Sequence, residues 1–164
     1  MHISYLLGSF FAIALLPFFA HAQTPDSDNF CTQLGKVIQT AEGRAELKKL
    51  LDSWTPAQKR EVTNNISAAL RQYSAESMPI KIDRYESHMN LQIYNQTIFI
   101  QSLLSNEFPD SGIHYLRAEL INTACQTPQQ ALMIALGYTY QINYSRESGK
   151  HVLQASVTAA DCGF

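Results

Sequence analysis

Residues 138–158 read YTYQINYSRESGKHVLQASVT, and their periodicity decides the fold class. Tyr138, Tyr140, Ile142 and Tyr144 alternate with Thr139, Gln141, Asn143 and Ser145, the two-residue period of a half-buried strand. Arg146 to Lys150, with Ser148-Gly149 inside it, reads as a turn. Leu153, Ala155 and Val157 then alternate with Gln154, Ser156 and Thr158 in a return strand. Strands joined by so short a turn must pair antiparallel.

Upstream, residues 79–86 and 91–103 are rich in Ile, Tyr, Phe and Thr, and Ser87 to Asn90 is the turn expected between them. Ile98, Ile100 and Ser102 face one way; Phe99, Gln101 and Leu103 face the other. Between the two hairpins the period changes to that of a helix: Ile113, Leu116, Leu120, Ile121 and Ala124, with Asp110 or Ser111 as cap and Cys125 at the end. Thr127-Pro128-Gln129-Gln130 reads as a capping box for a second short helix, which Gly137 terminates. Ahead of the hairpins, Phe30, Leu34, Val37, Ile38 and Ala41 form one helical stripe, and Ala45, Leu47, Leu50, Leu51 and Trp54 another. Thr55-Pro56-Ala57-Gln58 opens a third helix carrying Val62, Ile66, Ala69, Leu70 and Tyr73, which stops before Pro79. N-terminal helices, then two β-hairpins separated by two helices, predict an α+β fold. Its roughly four-stranded antiparallel sheet would carry the helices on one face.

The chain begins with an apolar run from Tyr5 to Ala20 that closes on Ala20-His21-Ala22. Small residues at these two positions suit a signal peptidase, so residues 1–22 are expected to be a signal peptide cleaved after Ala22. The run is short of the roughly 20 apolar residues that a membrane span needs. Cleavage would leave no stable membrane span, a flexible lead over 23–29 and a single domain over 30–164. The expected location is therefore periplasmic or secreted. In such a compartment cysteines pair. Of Cys31, Cys125 and Cys162, the pair Cys125–Cys162 is favoured, because both stand at element ends and the bridge would tether the C-terminus. Cys31 is then a buried apolar thiol of the first helix, or pairs with one of the other two or with another chain.

A net charge of −2, without a basic run or stripe, leaves no footprint for nucleic acid or an anionic membrane surface. His88, His114 and His151 have no metal-ligand spacing, and no hydrolase or phosphate-binding motif occurs. Asp83 and Glu86, three apart, would point to opposite faces of a strand and read as exposed charges rather than a catalytic pair. The Asn-x-Ser/Thr triplets at Asn65, Asn95 and Asn143 are at the level of coincidence. No catalytic residue, cofactor or metal is predicted. Tyr138, Tyr140 and Tyr144 share one strand face; outward they would form a candidate binding surface. Ile142 in the same row favours an inward, core-forming face.

The stretch Asn122-Thr123-Ala124-Cys125-Gln126-Thr127-Pro128, through Leu136-Gly137-Tyr138-Thr139-Tyr140 to Asp161-Cys162, resembles a family of small secreted, quorum-sensing-regulated virulence factors of Gram-negative bacteria. The resemblance implies an exported α+β protein with no established enzymatic activity, and it carries no active site over. Pilot proteins of type II secretion are similar in size and disulfide habit, but this chain lacks their lipid-anchor cysteine. The leading expectation is an exported, non-catalytic bacterial protein that binds a protein or envelope component. The alternatives are a small exported hydrolase whose site assembles only in the fold, and an inhibitor of a hydrolase presenting the loop Ser105–Gly112.

Overall fold

The computed structural model describes residues 26–164, with side-chain surroundings from Thr32 onward. The expected signal peptide and its cleavage site lie outside the described residues, as does the side chain of Cys31. Three helices come first: α1 (Asp26–Val37), α2 (Ala41–Asp52) and α3 (Pro56–Ser77). Helix α1 thus starts four residues before Phe30, inside the segment expected to be a flexible lead. The box that opens α3 forms in full: the Gln58 amide N–H donates to Thr55 Oγ1, and the Gln58 side chain accepts from the Thr55 N–H.

Then follow β1 (Ile80–Lys81), β2 (Glu86–Tyr94), β3 (Thr97–Leu104), α4 (Ile113–Gln126), α5 (Pro128–Ala135), β4 (Thr139–Arg146), β5 (His151–Val157) and a C-terminal turn of helix, α6 (Ala159–Cys162). The five strands form one sheet in the order β1-β2-β3-β4-β5. The α+β class and the helices on the sheet are as the sequence predicts; the strand count and pairing differ in three respects. Short β1 adds a strand at the edge. The middle pair, β3 with β4, is parallel, because α4 and α5 carry the chain back over the sheet before β4 begins. The first hairpin turns at Asn95-Gln96, not at Ser87–Asn90. Both residues have positive φ (47° and 59°), as a two-residue turn matched to the strand twist requires.

A register shift after His88 lets His88 and Leu91 both face inward, although they are three apart. The inner face continues through Ile98, Ile100, Ser102 and Leu104 of β3, and Tyr140, Ile142, Tyr144 and Arg146 of β4, to Ala155 and Val157 of β5, all buried. Helix α3 packs on β2 and α4 on β5. Leu70, Ile98, Ile100, Leu104, Ile134 and Tyr138 are at most 1% exposed. Each such apolar side chain contributes about 1.5–3 kcal/mol relative to exposure. A second small core, Leu34, Ile38, Leu47 and Leu51 against Ala131, joins α1 and α2 to α5.

Loop geometry locks the helices to the sheet. Gly137 at φ 96° ends α5, and the Tyr138 N–H closes back on the Met133 carbonyl. The second predicted capping box does not form. Thr127 makes no side-chain cap, and its partner Gln130 is buried instead. Asp110 does not cap α4 either, since Arg146 takes its carboxylate. Cys125 at the end of α4 and Cys162 in α6 are joined by a disulfide across a separation of 37 residues.

Candidate functional site

Glu86 is the first residue of β2, and its side chain points into the core, 7% exposed. The charges of Asp83 and Glu86 are therefore not alike, contrary to the reading of both as exposed. Asp83 sits in the turn before β2, where its Oδ1 accepts the N–H groups of Tyr85 and Glu86 at 2.6 and 2.8 Å. A buried carboxylate needs partners. Ser102 Oγ donates to Glu86 Oε1 at 2.6 Å, and His88 Nε2 lies 3.1 Å from the same oxygen. His88 and Ser102 are register partners on β2 and β3, which sets all three groups side by side.

This cluster borders a cavity of about 40 Å³ between α4 and the sheet. Its walls include His88, Gln130, Tyr140 and Tyr144, with Glu119, Leu120 and Thr123 from α4 above them. The volume suits a water or two and is far below the roughly 300 Å³ at which small-molecule sites begin. Burial, and then the Glu86 and Glu119 carboxylates, push the Tyr144 phenol far above its ordinary range. Burial and the neighbouring Tyr138 do the same to Tyr140. Both tyrosines therefore stay neutral at any physiological pH.

The arrangement is not a nucleophilic triad. In a triad the serine bonds to the histidine and the histidine to the acid. Here serine and histidine converge on one oxygen of the acid, and Ser102 is 0% exposed. The cluster can hold a buried charge in place and order the edge of the core.

The other sequence candidates are dispersed. His114 lies exposed on α4, its ring 3.8 Å from that of Tyr115, and His151 lies exposed at the start of β5. Among the described residues no group of three or more His, Cys, Asp or Glu side chains could hold a metal. Tyr138, Tyr140 and Tyr144 are 1%, 1% and 3% exposed, which corrects the outward reading: they form core beneath the helices, not a binding surface. The hydroxyl of Tyr138 donates to the Thr63 carbonyl at 3.0 Å and so ties β4 to α3. The loop Ser105–Gly112 is pinned from beneath. The buried Arg146 guanidinium donates to the carbonyls of Ser105 and Phe108 at 2.9 and 2.6 Å and to Asp110 at 2.6 Å.

Sequence reasoning missed the Glu86–His88–Ser102 cluster. A signal was present in part: Ser102 breaks an otherwise aliphatic inward row, and a buried hydroxyl needs a partner.

No protein-family model and no curated relative matches the sequence. Solved structures do match in fold. One is a pilotin of the type 2 secretion system of Vibrio vulnificus, EpsS, with a TM-score of 0.56, 17% identity, and 66% of this chain against 97% of that one. Another is a presumed secreted protein of Pseudomonas aeruginosa, with a TM-score of 0.51, 14% identity, and 71% of this chain against 93% of that one. At such identities the likeness is one of fold: this chain has the helix-covered sheet of those two bacterial proteins.

Proposed function

We propose that this chain works outside the cytoplasm as a non-catalytic binding protein of the bacterial envelope, after losing residues 1–22. The observation that carries the reading is the Cys125–Cys162 bridge in a fold shared with a secretion pilotin and a presumed secreted protein. A structural disulfide belongs to an oxidising compartment. The water-sized cavity beside Glu86 and His88 leaves binding to the surface rather than to a pocket. A part in virulence is the finer form of this reading and rests on the resemblance of residues 122–162.

The test is expression of the full chain in a Gram-negative host, fractionation, and intact mass with thiol counting. The expected product is periplasmic or extracellular, starts at Gln23 and contains the oxidised Cys125–Cys162 pair. A cytosolic product that keeps its leader and three reduced thiols overturns the reading. Cross-linking in periplasmic extract then identifies the partner.

A hydrolase is the second reading, favoured by the meeting of Glu86, His88 and Ser102. It requires the cavity to open by several hundred Å³ to admit a substrate. Hydrolysis of generic ester or glycoside substrates that disappears in Ser102→Ala would establish it. The inhibitor reading keeps the loop Ser105–Gly112, whose fixing by Arg146 is the rigidity an inhibitory loop needs.

A further inference from the structure

The outer face of the sheet carries an aligned set of neutral amide side chains. Asn90, Gln101, Asn143 and Gln154 are register partners on four adjacent strands and form one row across β2 to β5. At a strand spacing of about 4.8 Å the row runs about 14 Å. In the next row Gln92, Phe99 and Gln141 stand side by side. Tyr94, on the same face of β2, is 70% exposed. Asn90, Gln92, Phe99, Gln101 and Asn143 line a shallow depression of about 320 Å³. None of these amide side chains has a hydrogen-bond partner within the described protein.

Charge is what these two rows lack; the nearest on this face is Lys81 of the edge strand β1, paired with Ser87. Strands β2 to β5 hold one acidic and one strong basic residue, Glu86 and Arg146, and both are buried on the opposite face. A phosphate, an acidic peptide or a lipid headgroup laid along these rows finds no counter-charge within them. An apolar helix would bury these amides without partners, which is costly. A chain of neutral hydroxyls and acetamides meets both donors and acceptors from each amide. It also meets ring faces at Phe99 and Tyr94.

We propose that the outer sheet face binds an uncharged, extended polysaccharide laid across the strands, with the row Asn90-Gln101-Asn143-Gln154 as its hydrogen-bonding track. This deepens the reading as an envelope-binding protein, and rests on it, by naming the class of partner. The face presents amides at a regular strand-to-strand interval, as a polymer of repeating sugars requires. Aromatic rings flank the track where a pyranose can stack.

The experiment titrates the purified mature protein with chitohexaose, cellohexaose and anionic polygalacturonate, followed by amide NMR and calorimetry. The expected result is saturable binding of a neutral oligosaccharide, with shifts centred on the side-chain amides of Asn90, Gln101, Asn143 and Gln154. Binding should weaken about tenfold or more in the double variant Gln101→Ala, Asn143→Ala. Tyr94→Ala should weaken it too, while Tyr115→Ala on α4 leaves it unchanged. The thermal midpoint of each variant checks that the fold is kept. No response to either neutral sugar at millimolar concentration overturns the proposal, as does equal binding of polygalacturonate. Ultracentrifugation covers the other occupant: a dimer abolished by the same double variant, without sugar binding, assigns the face to a second copy and overturns it as well. Purified protein answers this question wherever the chain resides, so failure here leaves the export reading to its own fractionation test.

Discussion

Ser102 on β3 donates a 2.6 Å hydrogen bond to Glu86 Oε1 on β2, and neither residue is more than 7% exposed. The pair fastens two adjacent antiparallel strands in the interior of the sheet through a charge-assisted bond in a region with little competing water. Such a bond stabilises by about 1.5–3 kcal/mol. Ser102→Ala should lower stability by about that amount in urea unfolding. Glu86→Ala should cost more, since it leaves the hydroxyl of Ser102 and the ring of His88 together without their acceptor. If Ser102→Ala proves the more costly of the two, the carboxylate is not the centre of the cluster.

The Cys125–Cys162 bridge ties the end of α4 to the C-terminal turn. In the chain-entropy view, closing a loop of 37 residues stabilises by about 4 kcal/mol. Reduction, or the double change Cys125→Ser, Cys162→Ser, should lower the thermal midpoint by roughly 10 °C. Hydrogen exchange should rise first in α6 and at Phe164, whose N–H closes on the Ala159 carbonyl. A uniform rise across the sheet instead would mean that the bridge acts on the whole fold and not on its end.

The strand faces and helix stripes were legible because burial on one side writes a period into the sequence. Tyr140, Ile142 and Tyr144 declare β4, and Ile98 and Ile100 declare β3. The first turn was hidden because Asn95-Gln96 carries no glycine and interrupts an alternating run only slightly. The parallel β3–β4 pair was hidden for a different reason. Local pattern defines a strand, but partner choice depends on where α4 and α5 return the chain. The polar cluster was less visible still, since Glu86 and Ser102 are 16 residues apart and only register brings them together. The outer amide row has the same origin: each residue is an unremarkable polar strand position, and their alignment is a property of the sheet.

Arg146 holds the loop Ser105–Gly112 through two carbonyls, with a third bond to the exposed Asp110. Arg146→Ala removes the donors and leaves two half-buried carbonyls to find water, so stability should fall by about 2 kcal/mol. Protease cleavage should appear within 105–112, where the parent resists. Arg146→Lys should recover only part of this protection, because an ammonium cannot match the planar fork that reaches all three acceptors. Asp110→Ala should change little, since its side chain is 91% exposed.

Tyr140 and Tyr144 set the alkaline limit of the fold. Burial raises the phenol of each above the value of about 10 that it has in the unfolded chain. Above that pH the unfolded state binds fewer protons than the native state, so stability falls as pH rises. The stabilising contribution is complete below about pH 10 and is lost progressively above it, at up to about 1.4 kcal/mol per pH unit for each tyrosine. Urea midpoints should therefore be insensitive to these groups between pH 7 and 9, and should drop between 10 and 11.5. Tyr144→Phe removes one ionising group while keeping the ring in its place between the strands and α4. It should flatten the alkaline limb, and adding Tyr140→Phe should flatten it further. An alkaline slope unchanged in the double variant would show that these phenols are reached by solvent, which the burial of β4 beneath the helices forbids.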